Sequence, residues 1–154
     1  GMQTLSLRYF NVFGPRQSPQ SQYAAVIPAW ISTIMKGQRP KVYGTGEQTR
    51  DFCNVDNVVD ANMRGGIIDD RVLKGEVVNV GCGENISLNT LLKKIGELLG
   101  KDIEPEYLPA RAGDVKDSLA DISAIRALLG YEPLVRFDEG LKQTVNYFRS
   151  IYGK

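Results

Sequence analysis

The sequence predicts a layered domain of the α/β or α+β class. Segments typical of buried strands alternate with segments whose apolar residues recur at helical spacing, without an internal repeat or a low-complexity tract. A chain of 154 residues is long enough for one domain, or part of one, that buries roughly two-thirds of its unfolded surface. We therefore expect residues 1–154 to form a single domain.

The first half of the chain predicts strands and helices in turn. An apolar run leads into a Gly-Pro turn, and Val26 to Met35 carry apolar residues at helical spacing before a stop at Gly37. Asp56 is predicted to cap the next helix, because a short acidic side chain accepts hydrogen bonds from the first free N–H groups. The predicted elements are a strand at 5–9, a helix at 26–35, a strand at 41–43, an extended segment at 51–55 and a helix ending at 67.

The second half continues with one strand and three helices. The strand at 76–80 ends at a Gly-Cys-Gly turn, and Ser87 caps an amphipathic helix that stops at Gly100. Asp121 is predicted to cap a shorter helix that ends at Gly130, and Asp138 to open the last helix. The turn after the strand lacks the third glycine of a dinucleotide-binding fingerprint, so we interpret it as a turn only.

Composition excludes several classes of function. A net charge of +1 gives no reason to expect a nucleic-acid partner, and no segment approaches the length of a membrane span. The chain contains no histidine, which excludes a histidine base, a Ser-His or Cys-His nucleophile and a histidine-ligated zinc. Cys53 and Cys82 have no metal-ligand spacing, and we expect them to be buried in a reducing, cytoplasmic setting. We predict no metal site.

Polar side chains follow the predicted strands and are the candidate ligand contacts. Asn11 lies at the end of the first strand, where a ligand of an open α/β sheet would bind, although it is equally compatible with a side chain that satisfies its own turn. Arg50 ends a glycine-containing loop and would suit a phosphate group, but a local ion pair with Asp51 is the alternative. Arg111 and Asp114 lie in another glycine-containing loop, which is also typical of an ordinary surface loop.

Five segments in this order resemble a known superfamily. The chain is similar to the C-terminal half of the extended short-chain dehydrogenases/reductases, and within them to the NAD-dependent nucleotide-sugar epimerases and dehydratases, most closely the UDP-sugar 4-epimerases. This resemblance implies the substrate-binding part of a Rossmann-type fold, with two strands of the parallel sheet, small strand pairs and about five helices. The segments are RYFNVFGPRQ (8–17), AAVIPAWI (24–31), VYGTGEQTRDF (42–52), VVNVGCGENISL (77–88) and RAGDVKDSLADISAIRALLGYEP (111–133).

The resemblance implies a role for each matching residue. Asn11, Arg50 and Arg111 match diphosphate contacts, and Asp114 matches the acid that binds the ribose. The remaining matches lie beside the nucleotide (Ala25 and Val26), along the uracil (Lys41 and Tyr43) and next to the nicotinamide (Tyr9 and Phe10).

The resemblance also implies what the chain does not contain. Members of the superfamily bind NAD at a glycine-rich turn and use a tyrosine with a lysine four residues later, yet no tyrosine here is followed by a lysine at that spacing. We therefore expect the NAD-binding Rossmann part to lie outside this sequence, and we assign no catalytic residue. The expected function is the UDP-sugar-binding portion of a 4-epimerase that does not catalyse alone. The alternatives are a 4,6-dehydratase fragment, a non-catalytic nucleotide-sugar-binding module and a ligand-free product that is held together by association.

Two kinds of partner follow from this expectation. Strands that belong to a larger parallel sheet leave edges and apolar faces that must be covered. We expect the chain to self-associate or to pair with an N-terminal Rossmann half.

Overall fold

The computed structural model describes residues 3–20, 25–69 and 73–153 and has a mixed α/β fold. The helices are α1 (Val26–Met35), α2 (Val55–Ile67), α3 (Leu88–Leu99), α4 (Ser123–Leu129) and α5 (Phe137–Tyr152). The strands are β1 (Leu5–Tyr9), β2 (Val12–Phe13), β3 (Lys41–Tyr43), β4 (Thr49–Arg50), β5 (Cys53–Asn54), β6 (Glu76–Val80), β7 (Ile86–Ser87), β8 (Glu106–Leu108) and β9 (Asp117–Ser118). The predicted fold class, with two longer parallel strands and five helices, is confirmed.

The strands form small sheets in which parallel pairing dominates. β1 pairs in parallel with β6, from Leu5 opposite Glu76 to Tyr9 opposite Val80, and α2 lies between these strands in the chain. β2 pairs with β5 and β3 pairs with β8, both in parallel. β4 lies between β7, to which it is antiparallel, and β9, to which it is parallel. These long-range pairings bring the loops after β1, β3 and β4 to one side of the molecule.

The helix ends largely follow the sequence signals. Ser87 caps α3 by accepting a hydrogen bond from the N–H of Thr90, and Gly100 ends the helix in the left-handed conformation (φ 65°). The prediction that Asp56 caps α2 is wrong, because the capping position lies two residues earlier, at Asn54, whose side chain accepts from the N–H of Asp56. Asp138 lies in the first turn of α5, not at its start.

The shorter fourth helix also begins later than its signal indicates. Asp121 was predicted to cap α4, but Ile122 occupies the capping position. The carboxylate of Asp121 instead accepts, at 2.9 Å, from the N–H of Ser123, the first residue of the helix. The end of α4 at Gly130, in the left-handed conformation, is as predicted.

Two hydrophobic cores hold these elements together. The first core packs α1, α3 and α5 around the rings of Phe13, Phe52 and Phe137, whose centroids lie 5.7–6.3 Å apart. The second core lies between the β1–β6 pair, α2 and α4, and it contains Val80 and the fully buried Tyr131. Cys53 and Cys82 are buried in this second core, as the sequence predicts.

The described part of the chain contains neither a membrane-spanning helix nor a group of metal-binding side chains. Residues 3–20, 25–69 and 73–153 form no helix long and apolar enough to cross a membrane. Within the same ranges, no group of acidic and cysteine side chains is arranged to hold a metal ion.

Candidate functional site

An open cleft of about 1040 Å³ lies above the first core. Its walls come from the end of β1, from α1, from the β3–β4 segment and from the loop at 111–114. Seven of the eight residues that the sequence predicts to contact the substrate line this cleft: Asn11, Val26, Lys41, Tyr43, Arg50, Arg111 and Asp114. The long-range strand pairings therefore bring together side chains that are separated by up to about a hundred positions in the chain.

The third strand and its following loop form one wall. The indole N–H of Trp30 donates to the carbonyl of Lys41 at 3.0 Å, and the side-chain amide of Gln48 donates to the carbonyl of Tyr43 at 2.6 Å. Gly46 has a positive φ (78°), and a Cβ there would lie 2.0 Å from the side chain of Asn89. The loop is thus held from both sides, which fixes the direction of Tyr43.

Arg50 is held by three acceptors at the base of the cleft. Its guanidinium donates to the carboxylate of Asp114 at 2.5 Å, to the carbonyl of Thr49 at 2.8 Å and to the carbonyl of Lys116 at 3.4 Å. Only 14% of the Arg50 side chain is exposed, so the guanidinium is partly shielded from water. The alternative of a local ion pair between Arg50 and Asp51 is wrong, because Asp51 is fully buried and bonds elsewhere.

Arg111 belongs to the same loop as Asp114 and lies against the β3 wall. Its guanidinium carbon lies 3.7 Å from the centroid of the Tyr43 ring, in the geometry of a cation–π contact. The loop therefore occupies two candidate ligand contacts at once. The guanidinium of Arg111 lies on the Tyr43 ring, and the carboxylate of Asp114 neutralises the partly buried Arg50.

The cleft carries an excess of positive charge. Among its described lining residues, four are cations (Arg39, Lys41, Arg50 and Arg111) and one is an acid (Asp114). Arg39 is engaged with the carbonyls of Glu104 and Pro105. Arg50 and Arg111 are the cations whose present partners are side chains of the cleft itself, which a ligand could exchange. The arrangement is suited to an anion that also presents a flat ring.

Other predicted residues lie at or beyond the rim. Ala25 directly precedes α1 and is not among the residues that line the cleft. Tyr9 is 49% exposed outside the cleft, and its hydroxyl donates to the side chain of Asn62 at 3.0 Å. Phe10 packs against the second core. Asn11 lines the cleft, and its side-chain N–H donates to the carbonyl of Asp51 at 3.1 Å.

Sequence reasoning missed several residues that shape the cleft. Trp30, Gln48 and Phe52 line it, but in the sequence they are indistinguishable from helix-core, loop and strand residues. The largest omission is Asp51, a fully buried carboxylate directly between Arg50 and Phe52. The available signal was its position next to Arg50 at the start of an extended segment, which we interpreted as a partner for the arginine.

Two buried groups of the second core, Tyr131 and Cys82, have raised pKa values. Burial and the negative charges of nearby groups raise the pKa of Tyr131, whose hydroxyl donates to the carbonyl of Gly81 at 3.0 Å. A hydrogen bond with Cys53, together with burial, raises the pKa of Cys82. Both groups therefore stay protonated at neutral pH, and they serve the packing of the core.

Tyr9 and Phe10, which the resemblance places beside the nicotinamide, are not among the described residues that line the cleft. The hydroxyl of Tyr9 donates to the side chain of Asn62, and Phe10 packs against the second core. The chain contains neither the glycine-rich turn that holds a dinucleotide diphosphate nor a Tyr-x-x-x-Lys pair. No chemical step is therefore assigned to NAD at these residues.

Fold and site define a Rossmann-type α/β protein with a cationic cleft. The family model described as "NAD dependent epimerase/dehydratase family" matches residues 1–81, which is more than half of the chain. The chain belongs to the NAD-dependent epimerase/dehydratase family.

Individual relatives have related activities. The chain is 38% identical over 140 residues to the UDP-glucose 4-epimerase of Mycolicibacterium smegmatis, covering 91% of this chain and 44% of that protein. It is 37% identical to the UDP-glucuronate 4-epimerase of Thermodesulfobacterium geofontis, covering 96% of this chain and 43% of that protein. It superimposes on the UDP-N-acetylglucosamine 4-epimerase of Methanobrevibacter ruminantium, in complex with UDP-N-acetylmuramic acid, with a TM-score of 0.89 and 43% identity.

The chain spans less than half the length of these proteins. The structural match covers 97% of this chain but only 47% of the Methanobrevibacter protein. The activity of such a whole protein therefore comes to this chain only as a proposal.

Proposed function

We propose that this chain is the UDP-sugar-binding portion of an NAD-dependent UDP-sugar 4-epimerase, and that residues 1–154 act as one substrate-binding unit. The observation that carries the proposal is the cleft in which Tyr43, Arg50 and Arg111 lie together. A flat aromatic ring beside two arginines suits a nucleobase that is joined to a diphosphate.

Each proposed contact has a physical basis. The arginines make charge-assisted hydrogen bonds to the diphosphate, and the side-chain amide of Asn11 contacts it from the end of β1. Tyr43 and the Lys41 backbone line the uracil, while Ala25 and Val26 lie beside the nucleotide. Asp114 accepts a hydrogen bond from the ribose once Arg50 has turned to the phosphates.

The chain by itself binds and positions a substrate but does not react with it. Positioning is one component of catalysis, whereas a bound NAD would accept the hydride and a tyrosine elsewhere in the whole enzyme would transfer the proton. We propose that NAD is held by the part of the relatives' length that lies outside this sequence. The described cleft contributes affinity for the nucleotide end of the sugar.

Calorimetry with UDP, a UDP-sugar and NAD tests this proposal. We expect UDP and the UDP-sugar to bind with similar affinity, since the nucleotide supplies most contacts, and we expect no heat from NAD. The absence of UDP binding would refute the proposal. Epimerisation or NAD reduction by the 154-residue chain would contradict the assignment of no catalysis.

A second candidate is a non-catalytic nucleotide-sugar-binding module with a regulatory role. Such a module would use the same cleft, in which Tyr43, Arg50 and Arg111 lie together, without serving a reaction. Adding a separately produced NAD-binding half of a relative distinguishes the two candidates. Recovery of epimerase activity supports the first, and UDP binding without any recovery supports the second.

The exposed surface around α2 supports a proposal about partners. Val59, Met63 and Ile67 are four residues apart on one side of the helix and are 54%, 63% and 81% exposed. We propose that this stripe is covered by self-association of the chain, because contiguous apolar surface of this kind marks an interface.

A further inference from the structure

Asp51 is a buried carboxylate that the proposed binding contacts do not use. Its side chain is fully buried, and its neighbours in the chain, Arg50 and Phe52, both line the cleft. Within residues 3–20, 25–69 and 73–153, no cation forms an ion pair with it. A buried carboxylate without compensation is strongly destabilising, so the groups around it must stabilise its charge.

Backbone N–H groups provide this compensation. One carboxylate oxygen accepts from the N–H of Cys82 at 2.9 Å. The other accepts from the N–H of Gly83 at 2.8 Å and from the N–H of Ala120 at 3.2 Å. The carboxylate therefore joins the turn after β6 to the segment after β9.

The backbone of Asp51 connects to a third segment. Its carbonyl accepts from the side-chain amide of Asn11, which lines the cleft at the end of β1. The β9 strand, which leads to Ala120, also pairs Ser118 with Arg50. Asp51 thus holds the backbone next to Arg50, the side chain of Asn11 and the segment that continues from β9, the strand after the Arg111–Asp114 loop.

The glycine next to this carboxylate shows how closely the segments approach. A Cβ at Gly81 would lie 2.5 Å from the Cβ of Ala120 and 2.8 Å from a carboxylate oxygen of Asp51. Only a residue without a side chain allows the turn to reach the carboxylate. Gly81 therefore offers a second, independent way to disturb the same contact.

We propose that Asp51 is a positioning residue for the cleft: its buried carboxylate fixes the backbone from which Arg50 reaches an anionic ligand. The part of this proposal that concerns affinity rests on the proposed binding of a nucleoside diphosphate. The part that concerns the direction of the Arg50 side chain applies without a ligand.

The first test needs no ligand. We expect Asp51→Asn to shift the side-chain Nε–H signal of Arg50 in an NMR spectrum, because an amide presents an N–H to the backbone donors and moves the segment. Gly81→Ala should shift the same signal, which keeps the test available if Asp51→Asn does not fold. Thr144→Val is the matched control, since it removes a buried hydrogen bond to the carbonyl of Gly140 on α5. An unchanged Arg50 signal in the folded variants would overturn the proposal, whether or not UDP binds.

The second test asks whether Asp51 acts through Arg50. We expect Asp51→Asn to weaken UDP binding about tenfold in the wild type, which is the scale of one charge-assisted hydrogen bond. In an Arg50→Gln background the same change should weaken binding less than about twofold, while the loss of thermal stability stays the same. Equal losses of affinity in both backgrounds would show a general structural role and contradict the proposal. A wild-type chain that binds no UDP would refute the proposed function, and the NMR test would then decide on Asp51 alone.

Discussion

The two cores of this protein have different surfaces. The first core is covered by α1, α3 and α5 and carries a cleft whose polar side chains are held by specific hydrogen bonds. The second core lies under α2 and the β1–β6 pair, and its outer surface exposes Tyr9, Val77 and the apolar stripe of α2. The first region thus has the character of a ligand site, and the second has the character of a protein interface.

The two regions differ in the interactions that organise them. Charge and hydrogen bonding organise the cleft over short distances, through residues that the described chain contains. The β1–β6 pair, by contrast, is two strands wide among the described residues and leaves Val77 52% exposed on its outer surface. If this contrast is correct, changes in one region should leave the function of the other intact.

The largest expected effect is the loss of an arginine from the cleft. Arg50→Gln should weaken UDP binding by about tenfold to a hundredfold, because it removes a partly shielded charge-assisted contact. Calorimetry measures this loss. Arg126→Gln is the matched control, since Arg126 lies on α4, away from the cleft, and pairs with Glu132. Similar losses in both variants would break the proposed distinction between the regions.

A charge in the α2 stripe should produce the next largest effect. Met63→Lys should raise the dissociation constant of self-association about thirtyfold, which corresponds to about 2 kcal/mol for one apolar side chain that is no longer buried. Sedimentation velocity measures the change, and the affinity for UDP should stay constant. Leu134→Lys, at a separate exposed apolar residue, should have no effect on association. A wild-type chain that is monomeric at high concentration would contradict the proposed interface.

Removing the carboxylate of Asp114, which pairs with Arg50, should have a smaller effect and should strengthen anion binding. Asp114→Asn should strengthen the binding of inorganic pyrophosphate about twofold to fivefold, because Arg50 is released from a partly exposed ion pair. The affinity for UDP should rise less, because the variant also loses the proposed acceptor for the ribose. Titrations with both ligands measure the difference. Weaker pyrophosphate binding would show that Asp114 supports Arg50 and does not compete with the ligand.

The smallest expected effect concerns the surface of the second region. A hydrogen bond from Arg126 lowers the pKa of Glu132 below its ordinary value of 4.5, so the pair stabilises the fold above that pH and loses its contribution as the pH falls further. Glu132→Gln should therefore reduce the melting temperature slightly at pH 7 and by less at pH 3. Thermal melts at both values measure this, and a constant difference between wild type and variant would contradict the assignment.

Much of the fold could be predicted because its signals are local. The helical spacing from Val26 to Met35 and the Ser87–Gly100 pair of end signals appear in the structure at the expected residues. The cap of α2 was misplaced, because Asn54 and Asp56 are both good capping residues and the choice depends on where β5 ends. Short strands such as β8 carry almost no pattern of their own, since they form only where a partner strand lies beside them.

The sequence predicted which residues belong to the candidate site better than it predicted which of them contact each other. The resemblance to nucleotide-sugar epimerases selected Asn11, Arg50 and Arg111, and the structure brings these three residues to one cleft. The partner of Arg50 was not predictable, because Asp51 is adjacent in sequence whereas Asp114 is brought close only by the pairing of β4 with β9.

The sequence by itself determined the chemistry available to this protein. It excluded histidine chemistry, supplied the arginines and predicted the helices and longer strands, because composition and periodicity are properties of the chain alone. Only the tertiary structure decided which charges meet. It buried Asp51 among backbone donors, paired Arg50 with Asp114 and placed Arg111 on Tyr43, because each contact joins segments that are distant in the chain.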